Sequence, residues 1–209
     1  MNYGQVKAQF QAVLNRRDIT PTLTENFVQQ AIQRAQRVLR VPAMEKSVEI
    51  ETPANELSVD VPGDLLGVIN ILWQDSSGYW HKLSRRDLGY VYSQRQMVGN
   101  AAYYAREGGV FVLAPQPITA GKIRIDYFCN FANLSADADT NWLTEIAADV
   151  IIYGALSFAA DYYLDNRRDA FEQRFVAALD ELLTQMQLDE LSAGAAISPA
   201  YGMNYRNYD

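Results

Sequence analysis

One stretch constrains this chain more than any other: TNWLTEIAADVIIYGALSFAADYY, Thr140 to Tyr163, which reads as a single helix with almost no polar face. Between Asp149 and Asp161 it carries no charge, and Val150, Ile151, Ile152, Tyr153, Leu156 and Phe158 fall on every side of the helical wheel. A surface helix shows one apolar stripe, whereas a helix apolar all round lies in a large core, in a membrane or between subunits. The uncharged run is well short of the roughly 20 apolar residues that span a bilayer, which removes the membrane. Core and subunit interface remain.

Helical spacing also governs the start of the chain. Val6, Phe10, Val13 and Leu14 recur at that spacing, and Phe27, Val28, Ala31, Ile32, Ala35, Val38 and Leu39 make a second apolar face. Thr24 is the expected N-cap of that second helix, and Val41-Pro42 its stop. From Glu45 to Asn133 the period changes to two. SVEIET, ELSVDVP, LLGVINILWQD, a hairpin partner from Tyr79 to Leu83, a pair around Glu107-Gly108-Gly109 and KIRIDYFCNF predict an antiparallel β region. SRRDLGYVY reads as a short helix capped by Ser84.

Helix then returns. Thr140 or Asn141 caps the apolar helix, which is expected to run to about Leu164, and Ala170 to Leu188 carries Phe171, Phe175, Leu179, Leu182 and Met186 on one face. The two can form an antiparallel hairpin. The expected class is α+β. Residues 1–44 and 136–190 supply an antiparallel helical bundle, and residues 45–135 an inserted antiparallel β-sheet or sandwich region. Residues 191–209, small, tyrosine-rich and without period, read as an extended C-terminal tail that orders on a partner.

Composition narrows function by exclusion. A formal charge of −7 argues against a protein that grips nucleic acid, since phosphate binding needs clustered Lys and Arg, but not against one that DNA slides past. Arg34, Arg37 and Arg40 form a stripe, read as ion-pair residues in preference to a DNA-channel lining. The lone Cys129 offers neither a disulfide nor a zinc spacing, and the opening residues lack the apolar core of a signal peptide.

The one histidine, His81, sits in GYWHKLS with no nucleophile motif near it, and reads as a solvent-facing hairpin side chain. Glu145 and Asp149, four apart, imitate an acid/base pair but read as a solvated patch near a helix start. No catalytic, cofactor-binding or metal-ligating residue is therefore expected. Thirteen tyrosines point instead to interfaces, where an apolar body and a polar tip are both useful.

The order of LNRRDITPTLTENFVQQAIQRAQRVLRVPAME, VPGDLLGVINIL, YYAREGGVFVLAPQP, GKIRIDYF and LSADADTNWLTEIAADVIIYGALSFAADYYLDNRR resembles the head-to-tail adaptor proteins of tailed bacteriophages, from about Asn15 to Met186. That resemblance implies a structural, non-enzymatic virion protein of the neck, assembled in the host cytoplasm as a ring of roughly twelve copies closed by head-to-tail contacts. It implies a portal protein above, tail or nozzle proteins below, and double-stranded DNA passing through without specific binding. Under it, Trp142, Val150, Ile151, Tyr153, Gly154 and Phe158 are the expected bundle or intersubunit residues, and Ile197, Pro199, Tyr201, Tyr205 and Tyr208 the portal-binding tail. The competing readings are a tail-completion or terminator ring protein, a cell-wall hydrolase using Glu145 as general acid, and a small-ligand module built on the β region.

Overall fold

The computed structural model describes residues 1–194, and its helices begin where caps and apolar spacing coincide. Asn2 starts α1 (Tyr3–Leu14): its side chain accepts the Gln5 amide while the Gln5 side chain returns to the Asn2 amide, satisfying two orphan donors. Helix α2 (Pro21–Val38) starts one turn before Thr24. Thr20 is its cap, accepting the Leu23 amide at 3.2 Å, because Pro21 at the first helical position has a helical φ and no N–H to satisfy. Thr24 is buried inside the helix, where its hydroxyl accepts from the Gln11 side chain at 2.9 Å.

The long apolar stretch is two helices. Asn141 caps α4 (Trp142–Ile146), the chain breaks at Ala147 (φ −135°, ψ 50°), and the next helix, numbered α5 here, is Ala148–Tyr162. In a continuous helix the Thr144 carbonyl would accept the Ala148 amide. Here it accepts the Met1 amino group instead, at 2.8 Å. Asn141 also donates to the Ala132 carbonyl at 3.1 Å, so the cap pins α4 to the loop before it. Asn141→Ala is expected to lower stability by about 1–2 kcal/mol, read as an earlier urea midpoint; an unchanged midpoint would show that α4 frays without consequence.

Val150, Ile151, Ile152, Gly154, Ala155, Leu156, Ser157, Ala159 and Ala160 are all buried, so the middle of α5 is largely enclosed by its own chain. Residues of α1, α2, α5 and α6 (Arg168–Gly194) share one apolar core with Met44, Phe131 and Leu134. Helix α5 ends at Tyr162, two residues short of Leu164. Helix α6 begins before Ala170 and runs past Leu188 to Gly194, because no glycine or proline interrupts the chain before that point.

Between the helical parts, a 3-10 turn at Pro42–Met44 leads into eight strands: β1 (Glu45–Thr52), β2 (Ser58–Asp60), β3 (Leu65–Gln74), β4 (Trp80–Lys82), β5 (Ser84–Arg85), β6 (Tyr103–Glu107), β7 (Val110–Ala114) and β8 (Gly121–Cys129). They form two sheets, β1-β8-β3-β4 and β2-β7-β6-β5. Val59, Ile71, Trp73, Leu83, Tyr104, Phe111, Leu113, Ile123, Ile125 and Tyr127, drawn from both, fill the space between them.

Two expectations are corrected here. Among the described residues there are eight strands, β5 being one that sequence alternation does not predict, and β5 pairs with β6 in parallel. The cause is one extended segment that changes sheets: the Leu83 amide donates to Ile71 O and the Ser84 amide to Ala102 O, both at 2.8 Å. Helix α3 (Leu88–Gln94) then supplies the crossover that a parallel pair needs. Its cap is Asp87, which accepts the Tyr90 amide at 2.9 Å, while Ser84 lies in β5.

Candidate assembly surfaces

Arg34 on α2 and Glu172 on α6 make a two-point ion pair, with Nη1 2.8 Å from Oε2, and the Ser157 hydroxyl on α5 donates to the same oxygen at 2.7 Å. One carboxylate thus ties three helices together. The Arg34 guanidinium and then the Ser157 hydroxyl hold the Glu172 carboxyl down to about 2. The guanidinium also lies 4.3 Å over the Phe175 ring, so its apolar face is covered as well. Arg34 is therefore an intrachain tie. Arg37 is exposed, and Arg40, half-buried, donates to the Gln36 carbonyl at 3.0 Å.

Of the residues expected at bundle or subunit contacts, Val150, Ile151 and Gly154 lie in the chain's own core. Trp142, half-buried, stacks on Phe131 with ring centroids 5.9 Å apart. Tyr153 and Phe158 are also half-buried, with the Arg174 guanidinium 5.5 Å over the Tyr153 ring. The tail residues Ile197, Pro199, Tyr201, Tyr205 and Tyr208 lie outside the described residues.

Apolar surface that helical periodicity did not reveal sits at element ends. Where α5 turns into α6, Tyr162 is 60% and Leu164 93% exposed. Leu164 has φ 51°, a left-handed backbone that is unfavourable for a residue bearing a Cβ. The turn is firmly held nonetheless. Arg167 pairs with Asp165 at 2.7 Å and donates to the Leu14 carbonyl at 3.0 Å, while Arg16 lies 4.1 Å over the Tyr163 ring. The Arg167 guanidinium and backbone amide hold the Asp165 carboxyl down to about 2. In the β region, Tyr79, Met97, Val98 and Ile118 are exposed on connections and Trp80 at the start of β4. Apolar side chains fixed on ordered turns, not swung on loose ones, suit a partner that docks without large rearrangement.

The candidates for chemistry stand apart from one another. His81 pairs with Asp75 at 2.8 Å on the exposed β3–β4 hairpin. Glu145 and Asp149 are exposed and on different helices, separated by the break at Ala147, so the common face expected of them does not form. Among the described residues no cluster of three His, Cys, Asp or Glu side chains is placed to hold a metal ion, and no helix is long and apolar enough to cross a membrane.

The family model described as SU10 adaptor protein matches residues 1–199. The chain belongs to that family. No curated protein matches it. The SU10 adaptor proteins are a phage head-to-tail adaptor family, which makes this chain a structural component of a virion that contacts other head and tail proteins. The match takes in helices and both sheets alike, so the β region is part of the family's body. Arg34, Glu172 and Ser157 are in this adaptor a scaffold tie. The Arg34 and Glu172 partnership left no trace in sequence periodicity, because the two are 138 residues apart.

Proposed function

We propose that this adaptor is the subunit of a closed ring of about twelve copies that joins the portal to the tail and continues the DNA channel, each copy making head-to-tail contacts with two neighbours. The family match over residues 1–199 carries the reading. Supporting it are the apolar side chains held at element ends and the formal net charge of −7, which favours DNA passing over DNA sticking. In this reading α1, α2, α5 and α6 act as an antiparallel bundle, and residues 195–209, with Tyr201, Tyr205 and Tyr208, order along the portal. Tail or nozzle proteins attach on the opposite side.

The test is to mix the purified chain with the portal protein of the same phage and image the product by electron microscopy. Portals capped by a ring are expected. Bare portals, together with a glycan-cleaving activity that Glu145→Gln abolishes, would sink the proposal. Deleting residues 195–209 is expected to leave the melting temperature of the free subunit unchanged and to abolish ring capture by the portal. Full capture by the truncated chain would remove the tail from the attachment.

A further inference from the structure

The two sheet orders put β1 and β2 at one edge of the β region and β4 and β5 at the other. Two local observations fix that correspondence. Residues at the end of β1 and along β2 border a single cleft, and β4 continues through Leu83 directly into β5. Charge divides along the same line. The first edge exposes Glu45, Glu49 and Glu51 on β1, Glu56 in the connection and Asp60 on β2. Its lysines are already engaged: Lys46 with Asp64 at 2.7 Å, and Lys122 of the adjoining β8 loosely with Glu51 at 3.6 Å.

The second edge exposes Lys82 on β4, Arg85 on β5 and Arg86 just beyond it, and among the described residues none of these three makes an ion pair. Arg86 rests over the rings of Tyr90 and Tyr103, at 5.8 and 5.7 Å. The acids on that side are committed elsewhere, Asp75 to His81 and Asp87 to the α3 amide it caps. An eight-residue strand such as β1, free on one side, is a template for indiscriminate pairing unless charge blunts it. Here that charge has its complement on the far side of the same molecule.

We infer that the acidic β1/β2 edge of one copy docks on the basic β4/β5 edge of the next, so that the sandwiches form a charge-zippered belt around the ring. This rests on the ring reading and adds the contact and its polarity. A closed ring requires two different, mutually complementary surfaces on every subunit, and opposite edges of one sandwich meet that requirement geometrically. Complementary potentials also set register and raise the rate of encounter, while like-charge edges reject each other. The contact is therefore salt-sensitive.

Two full-length variants test it. The double variant Lys82→Glu with Arg85→Glu makes both edges acidic; the triple variant Glu45→Lys with Glu49→Lys and Glu51→Lys leaves only Glu56 and Asp60 on the first edge and makes both edges basic. Each is mixed with the portal at low salt, alone and together, alongside the quintuple variant that combines them, and capped portals are counted by electron microscopy. Either variant alone is expected to cap at least about tenfold fewer portals than the unmodified chain, since juxtaposed like charges reject each other. The equimolar mixture, alternating around the ring, and the quintuple variant, with polarity inverted, are expected to recover most of the capping. That recovery excludes misfolding as the cause of the loss. Normal capping by either variant alone, or no recovery in both the mixture and the quintuple variant, overturns the edge contact while leaving the ring intact. Failure of the unmodified chain to cap portals overturns the ring reading itself, and this contact with it.

Discussion

Gly154→Leu is expected to destabilise the free subunit by about 3 kcal/mol, the upper range for overpacking a filled core, and to lower its melting temperature by roughly 10 °C in a chain of this length. Gly154 on α5 faces both Ala31 on α2 and Phe175 on α6. A Cβ placed there would lie 3.0 Å from the Ala31 Cβ and 3.0 and 3.1 Å from two carbons of the Phe175 ring. The ring cannot swing aside freely, because the Arg34 guanidinium lies 4.3 Å above it. Gly154→Ala is a different case. It gains about 1 kcal/mol of helix propensity and loses a similar amount to crowding, so its melting temperature is expected to stay close to that of the unmodified chain. Circular dichroism melts of the pair decide the point. A leucine variant that melts normally would mean that the three helices are not in close contact at this position.

The second large effect belongs to Glu172. Glu172→Gln removes the charge that both Arg34 and Ser157 address, and about 2 kcal/mol of stability is expected to go with it at neutral pH, less than for a fully enclosed pair because roughly a third of each side chain meets solvent. Its pH dependence has a definite sign. The folded carboxyl titrates at about 2 against 4.5 for an unperturbed glutamate, so its contribution is complete above about pH 4.5 and disappears as the pH falls towards 2. The gap in melting temperature between the unmodified chain and Glu172→Gln should therefore be widest at neutral pH and close on acidification. A gap independent of pH between 7 and 3 would show that the carboxylate's charge contributes nothing.

Local pattern was readable wherever a residue's neighbours in space were also its neighbours in sequence. The apolar faces of α1, α2 and α6 follow from spacing, and the alternation in KIRIDYFCNF matches the alternating burial of β8. What depended on distant partners was not readable. At the break at Ala147 the Thr144 carbonyl accepts from Met1, a partner 143 residues away that no local pattern announces. Strand β5 is two residues long and is held by Ala102 O, which accepts the Ser84 amide, and Tyr104 O, which accepts the amide of Arg86 just beyond it. The same limit applies to surfaces. Every charge on the two sandwich edges is visible in the sequence, yet their separation appears only once the strand order is known. Ser157 looked like one more small residue of an apolar helix and proved to be a donor to Glu172.

The burial of the middle of α5, from Val150 to Ala160, also bears on the life of the subunit before it meets its neighbours. Its most water-averse segment is shielded as soon as the chain has folded, so a newly made copy has no need of a neighbour to keep that segment from aggregating. In the proposed ring, joining through charged rims lets misplaced copies detach and try again, so that errors of assembly are corrected by exchange instead of being locked in.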